Sequence, residues 1–200
     1  MRRSSLLAAM ALAFPFMAAA AAPQYAVVHR YAVGEPGGWD YLTYSPAGHR
    51  LYVSRFDRVL VIDANTGKIE ATIPGTDGVH GVALVTKLGR GYTSNGRADT
   101  LTEFDLTTSK PLRTIAVEGH NPDALIYDPA SAHLFAFDGR SNEDSDVDPV
   151  AGKLVAKIAL SGKPEFAASE DAGNGDVNIE DTAQLARIDS ATNKVTAVWK

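Results

Sequence analysis

Short runs of apolar residues, several of them alternating with polar ones, recur along most of the chain and are separated by turn-forming residues. Three examples are residues 59–62 (Val-Leu-Val-Ile), 101–104 (Leu-Thr-Glu-Phe) and 185–188 (Leu-Ala-Arg-Ile). Each is followed by a turn and a second run rich in β-branched residues. Such runs are typical of antiparallel β-strands, and no segment shows a convincing amphipathic helix. The pattern predicts an all-β protein.

The turns that follow these runs repeat one six-residue pattern: an aspartate, four residues, then a lysine. It occurs in steps of 42, 43 and 41 residues, at residues 63–68, 105–110, 148–153 and 189–194. An aspartate side chain accepts hydrogen bonds from the backbone amides just ahead of it, and Gly67, Gly152 and Asn193 tolerate positive φ at the turn exit. Each pattern therefore predicts a tight turn between two antiparallel strands.

Two further strand-like runs precede each of these hairpins, so a unit of about 42 residues contains four strands. Four strands per repeat of this length predict a β-propeller of four-stranded antiparallel blades. About four blades are expected within residues 22–200, at residues 34–75, 76–118, 119–161 and 162–200. The third unit is irregular at residues 141–147, and its acidic residues 143–146 are interpreted as a solvated loop, since they lack the full spacing of a calcium loop.

The N-terminal residues 1–21 have the pattern of a secretory signal peptide. Arg2 and Arg3 precede a short apolar stretch and a run of alanines, and the apolar part is too short to span a bilayer. Cleavage is expected after Ala20 or Ala21; the alternative is a buried N-terminal helix. The pattern predicts a periplasmic or secreted protein with no transmembrane segment after cleavage.

Composition excludes several classes of chemistry. The chain has no cysteine, so disulfides, thiolate metal sites and a cysteine nucleophile are excluded. Without Arg2 and Arg3 its formal charge is −7, which argues against nucleic-acid binding. The phosphate-binding and nucleophile motifs of common enzymes are missing. No sequence feature therefore indicates a reaction, and a cofactor or metal cannot be named.

Two tetrapeptides resemble a known family. Tyr-Val-Ser-Arg at residues 52–55 and Tyr-Thr-Ser-Asn at residues 92–95 are each followed one strand later by the aspartate-to-lysine turn. They resemble the YVTN-repeat β-propellers, in particular their YncE-like exported branch. That resemblance implies an exported propeller, usually of seven blades, without shared catalytic residues.

With seven blades as the family norm, the four units are expected to form an open arc. Residues 24–33 are interpreted as a stray outer strand whose three-strand partner is not among these residues. A closed ring of four blades with one strand left over is the alternative.

One phased set of polar residues is predicted to converge at the mouth of the central channel. Alignment of the units places Asp40, Gly81, Asp123 and Glu165 in register, with Trp39, His80 and His120 close by. Acidic groups and histidines around an axis are suited to a cation or a hydrogen-bonding ligand. The alternative is that they only hydrate the channel or cap turns between blades.

A second set consists of Arg55, Arg97 and Arg140, which recur in steps of 42 and 43 residues. They are predicted to lie in the loops between second and third strands, on the same face as the acidic mouth. An arc of arginines is suited to an anionic ligand. The alternative is three surface arginines paired with Asp57, Asp99 and Asp138, because such pairs are common and weak.

These observations favour a binding or scaffold propeller with a small-molecule or protein ligand at the channel mouth. The first alternative is a propeller enzyme, either a lactonase-like hydrolase or a quinoprotein dehydrogenase subunit. The second is nucleic-acid binding. Fold alone does not decide between these functions, and the sequence leaves the oligomeric state open.

Overall fold

A computed structural model of the protein describes residues 25–34 and 37–200, so the predicted signal peptide at residues 1–21 lies outside the described part. The chain divides into two units, Met1–Arg30 and Tyr31–Lys200. In the first unit, the described residues 25–30 are exposed and belong to no helix or strand.

The described residues of the second unit form sixteen strands in four antiparallel sheets, each built from four strands that are consecutive in sequence. The first blade contains β1 (Leu42–Ser45), β2 (Arg50–Arg55), β3 (Arg58–Asp63) and β4 (Ile69–Pro74). The second contains β5 (Val79–Val85), β6 (Arg90–Asn95), β7 (Thr100–Asp105) and β8 (Pro111–Ala116). The third contains β9 (Pro122–Asp128), β10 (His133–Asp138), β11 (Glu143–Asp148) and β12 (Lys153–Ala159). The fourth contains β13 (Pro164–Ser169), β14 (Asn174–Ile179), β15 (Gln184–Asp189) and β16 (Lys194–Trp199).

This architecture confirms the predicted all-β fold of four-stranded propeller blades. The one helical element among residues 25–34 and 37–200 is a 3-10 turn at Thr86–Leu88. Within those residues no helix has the length and apolar character needed to cross a bilayer.

The aspartate-to-lysine turns have the predicted chemistry in every blade. In the first, one carboxylate oxygen of Asp63 accepts hydrogen bonds from the amides of Asn65 and Thr66 at 2.9 and 2.8 Å. Equivalent bonds form at the other three aspartates. The fifth turn residue has positive φ each time: Gly67, Ser109, Gly152 and Asn193. The turn is therefore specified locally, by an acceptor at its start and a left-handed residue near its end.

Three hydrophobic clusters hold the blades together, each formed by the facing sides of two consecutive blades. The cluster between the first and second blades includes Tyr52, Val61 and Phe104. The next includes Tyr92, Leu101 and Leu134, and the third includes residues of β10 and β14. Face-to-face burial of successive repeats is how propellers and other repeat proteins build a core.

The first and fourth blades contact each other at the channel. There the Tyr41 hydroxyl donates to the Glu165 carbonyl at 2.9 Å, and the Tyr41 ring lies 5.7 Å from that of Phe166. Among the described residues no buried hydrophobic cluster joins these two blades. Phe166, Leu185 and Trp199 of the fourth blade stay exposed. The four blades thus form part of a β-propeller, with the far side of the fourth blade uncovered.

Residues 24–33, interpreted as a stray outer strand, are described from residue 25 onward. Residues 25–33 belong to none of the sheets, and each described sheet is completed by its own four strands, so no partner of this segment lies among the described residues.

One expectation for an individual segment is wrong. The acidic residues 143–146 are not a solvated loop but most of strand β11, and Asp144, Ser145 and Asp146 are fully buried. They are buried because β11 is an inner part of the third blade, covered by neighbouring blades on both faces.

Candidate functional site

The backbone of the inner strands turns the candidate side chains toward one end of the channel. In β5 the pairing register shifts between Val79 and Val82, a span that contains His80. A similar shift occurs opposite Asp123 in β9, and another between Pro164 and Ala167 of β13, which contains Glu165. Bulges of this kind re-aim a side chain and are common beside functional sites.

Two serines hold these bulges in place from the preceding blade. The Ser54 hydroxyl donates to the His80 carbonyl at 2.5 Å. The Ser94 hydroxyl donates to the Asp123 carbonyl and accepts a hydrogen bond from the Gly81 amide at 2.8 Å. Both serines are fully buried. They are positioning residues that the sequence interpretation did not single out, although each is the third residue of a family-like tetrapeptide.

Gly81 lies in register with the acidic residues because the second and third blades approach closely at this point. A Cβ atom on Gly81 would be 2.9 Å from the backbone nitrogen of Leu125. No larger residue fits without moving the inner strand of the third blade. Close packing between the blades therefore explains why this position of the phased set is a glycine and not an acidic residue.

Asp40, His80 and Asp123, contributed by three different blades, meet at the channel mouth. His80 Nδ1 lies 2.5 Å from Asp40 Oδ2 and 3.8 Å from Asp123 Oδ1. One potential ligand atom from each residue lies within 4.8 Å of the others. Asp40 and His80 are partly exposed, whereas the Asp123 side chain is only 9% exposed.

Asp123 is the most perturbed acid of this group. Burial raises the pKa of Asp123 to about 6; the nearby His80 opposes the rise, and the negative charges of Glu165 and Asp40 add to it. Its Oδ1 atom is buried without a hydrogen-bond partner among the described residues. Burial, followed by the charges of Asp123, Glu165 and Asp40, also raises the pKa of the Tyr41 hydroxyl. The floor of the mouth is thus an acidic pocket with an unsatisfied oxygen.

A cavity of about 280 Å³ opens above this floor. Asp40 and His80 contribute to its lining together with aromatic, amide and cationic groups: Trp39, Phe56, Asn121, Arg97 and Arg140. The Trp39 side chain is largely exposed, with 79% of its residue surface accessible. Anionic, cationic and aromatic groups therefore share one small cavity.

Glu165 and His120 lie outside the three-residue cluster. The Glu165 carboxylate is 3.4 Å from the Lys163 ammonium. Its negative charge nevertheless contributes to the raised pKa of Asp123. His120 is exposed, and its Nδ1 is 2.9 Å from an Asp99 carboxylate oxygen. His120 therefore forms a separate surface pair with Asp99.

The three arginines do not form the expected arc, because Arg55 is out of register with the other two. Arg55 is the last residue of β2, whereas Arg97 and Arg140 lie in the longer turns that follow β6 and β10. Arg55 is 8% exposed and donates to the carbonyls of Gly38 and Val33. The equal spacing in sequence therefore did not reflect equivalent positions.

The expected pairing of these arginines with nearby aspartates also differs in the structure. The Arg97 guanidinium lies 4.1 Å from the centre of the Phe56 ring and 4.0 Å from Asp77, not beside Asp99. Asp57 pairs with Arg58 at 2.6 Å. Asp138 is fully buried and accepts a hydrogen bond from Ser145 at 2.7 Å. Of the three arginines, Arg97 and Arg140 line the mouth cavity.

Neither a family model nor a curated protein sequence matches the chain. A solved structure, hydrazine synthase from Kuenenia stuttgartiensis, is similar with a TM-score of 0.73 and 19% sequence identity. The match covers 86% of this chain and 51% of the other, so the chain spans about half the length of that structure. At this identity the similarity concerns the fold alone, and it supports a β-propeller-like architecture.

Proposed function

We propose that the protein is an exported β-propeller of the YVTN-repeat type that binds a small anionic ligand at its channel mouth. The observation that carries this proposal is the 280 Å³ cavity in which Arg97, Arg140 and Trp39 surround one opening. Export rests on the sequence pattern of residues 1–21, and the family on the two tetrapeptides.

The two arginines give the cavity its preference for anions. Phe56 supports the Arg97 guanidinium by a cation–π contact at 4.1 Å, which orients a planar group able to bind a carboxylate or phosphate through two hydrogen bonds. Its ion pair with Asp77 is long and exposed, and such pairs contribute little. An anionic ligand that binds Arg97 therefore replaces only a weak ion pair with Asp77.

The size and the aromatic rim favour a small metabolite. Ligand pockets commonly measure roughly 300–1,000 Å³, so a cavity of about 280 Å³ is suited to a compact molecule. The exposed Trp39 offers an aromatic surface against which an apolar or ring portion can pack. We therefore expect a carboxylated or phosphorylated small molecule.

Tryptophan fluorescence provides a direct test, because the chain contains two tryptophans, Trp39 at the mouth and Trp199 in the outer strand of the fourth blade. The Trp199→Phe variant leaves Trp39 as the sole reporter. Titration of this variant with carboxylated and phosphorylated metabolites is expected to change its emission saturably for at least one compound class.

A double variant, Arg97→Ala with Arg140→Ala, is expected to weaken that binding at least tenfold. The matched control replaces Lys68 and Lys153 by alanine, which removes the same positive charge from exposed turns at the opposite end of the blades. Equal weakening by both double variants, or none by the arginine pair, refutes the proposed site. A lactone, a quinone cofactor and single-stranded DNA in the same panel test the hydrolase, dehydrogenase and nucleic-acid alternatives.

A further inference from the structure

We propose that Asp40, His80 and Asp123 bind a divalent transition-metal cation, of the zinc or manganese class, at the floor of the mouth cavity. The inference rests on the proposed function in that the cation is part of the same ligand site. It adds to that function a metal ion held by the three side chains at the floor of the cavity.

The spacing of the three groups is suited to one ion. Zinc binds histidine nitrogen and carboxylate oxygen at about 2.0–2.2 Å, so ligand atoms around it lie roughly 3–3.5 Å apart. The two separations from His80 Nδ1, 2.5 Å to Asp40 Oδ2 and 3.8 Å to Asp123 Oδ1, lie on either side of that value. The Asp40 side chain is partly exposed, so rotation of this side chain alone can adjust the site.

The buried oxygen of Asp123 is an independent indication of a ligand. Asp123 is 7% exposed, and its Oδ1 atom has no hydrogen-bond partner among the described residues while it faces His80. A buried carboxylate oxygen without a partner is costly. The Ser94 hydroxyl donates to the Asp123 carbonyl and so holds the backbone from which this carboxylate projects. A cation at this point satisfies the oxygen.

The donor set selects the kind of cation. Calcium takes six to eight oxygen ligands, and magnesium usually keeps several waters in an octahedral shell. One imidazole and two carboxylates are instead the donors typical of zinc, iron or manganese. Three protein ligands also leave coordination positions open, and the cavity with Arg97 and Arg140 lies beside them. An anionic ligand can therefore be bound by the cation and the arginines together.

The competing explanation is that the three side chains only pair with one another, with His80 between the two aspartates and no ion bound. Metal uptake distinguishes the two. Protein purified without a polyhistidine tag and stripped with EDTA is dialysed against Zn²⁺ or Mn²⁺, and bound metal is measured by elemental analysis. One ion per chain is expected for at least one of the two metals.

The variants His80→Ala, Asp123→Asn and Asp40→Asn are each expected to weaken metal binding at least tenfold. Asp40→Asn keeps the test decisive should a change inside a strand impair folding, since Asp40 is partly exposed and outside the strands. His120→Ala is the matched control, because His120 also pairs with one aspartate through Nδ1 but lies outside the cluster. It is expected to bind metal as the parent does.

The results separate this inference from the proposed function. Absence of stoichiometric metal, or metal binding unchanged in all three site variants, overturns the cation site. Metal uptake without any response of Trp39 to anions supports the cation and refutes the anion-binding function. Anion binding that EDTA treatment leaves unchanged, with no metal uptake, refutes the cation site and keeps the proposed function.

Discussion

The buried Asp144 makes the stability of the protein depend on pH, and the Asp144→Asn variant tests this. Asp144 lies on β11 beside Phe137 of β10 and Ile158 of β12, both in the cluster between the third and fourth blades. Neither of its carboxylate oxygens has a hydrogen-bond partner among the described residues. Burial, followed by the charges of Asp138, Asp146 and Glu143, holds the pKa of Asp144 well above its usual range.

The raised pKa sets the sign of the effect. Between the pKa of the unfolded chain, about 3.9, and the raised pKa of the folded protein, the folded state holds a proton that the unfolded state has lost. The free energy of unfolding therefore falls as pH rises through this interval, by about 1.4 kcal/mol per pH unit from this one group. Below the interval both states are protonated and the loss disappears.

Asparagine has nearly the same size and polarity but does not titrate. The parent and Asp144→Asn are therefore expected to be about equally stable near pH 4. The variant becomes the more stable one above that, and its advantage grows with pH until the raised pKa of Asp144 in the folded protein is reached. For a chain of this size, 1 kcal/mol corresponds to roughly 2–4 °C in melting temperature. Asp138, whose pKa is raised to about 7 by burial, leaves a residual slope in both proteins.

Urea denaturation followed by far-UV circular dichroism, at half-unit steps from pH 4 to pH 7, measures these free energies. Asp171→Asn is the matched control for the same substitution at an exposed position, in the loop between β13 and β14. If Asp144→Asn keeps the slope of the parent, or is the less stable protein at every pH, the carboxylate is ionised and satisfied, and the reasoning is wrong.

Three further predictions concern stability. Ser109→Gly should raise the free energy of unfolding by about 1 kcal/mol in urea titrations, because Ser109 is a non-glycine residue at φ 57° in its turn; an unchanged midpoint would show that the turn carries no strain. Ser94→Ala should lower the free energy of unfolding by about 1–3 kcal/mol, because it leaves the Gly81 amide and the Asp123 carbonyl without their buried partner. A decrease below about 0.5 kcal/mol, in the range of ordinary surface substitutions, would contradict that role. Gly81→Ala should lower the melting temperature in a calorimetric scan, because its Cβ would lie 2.9 Å from the Leu125 nitrogen; a melting temperature equal to that of the parent would show that the blades can move apart.

The turns and most strands could be predicted from the sequence because their causes are local. An aspartate such as Asp63 bonds to amides two and three residues ahead, whatever the rest of the chain does. Residues 59–62 of strand β3 are likewise β-branched or apolar and favour extended structure. Repetition of these local features every 42 residues or so was enough to indicate blades.

Burial of β11 was decided by the tertiary structure. The acidic residues 143–146 have the composition of an exposed loop, so composition predicted one. Position in the repeat prevailed instead: β11 has a neighbouring blade on each face, and the apolar residues of the rest of the blade supply the free energy that keeps Asp144 buried. The cost appears as its raised pKa.

The candidate site, too, was predictable from the sequence only in part. Sequence phase placed Asp40, Asp123 and Glu165 at one end of the channel, since equal positions in successive repeats lie on the same face. It could not tell that His80 contacts Asp40 and Asp123 while His120 pairs with Asp99, nor that Arg55 is buried out of register with Arg97. Those outcomes depend on bulges and turn lengths that shift a side chain by one or two positions. Only the packing of one blade against the next determines them.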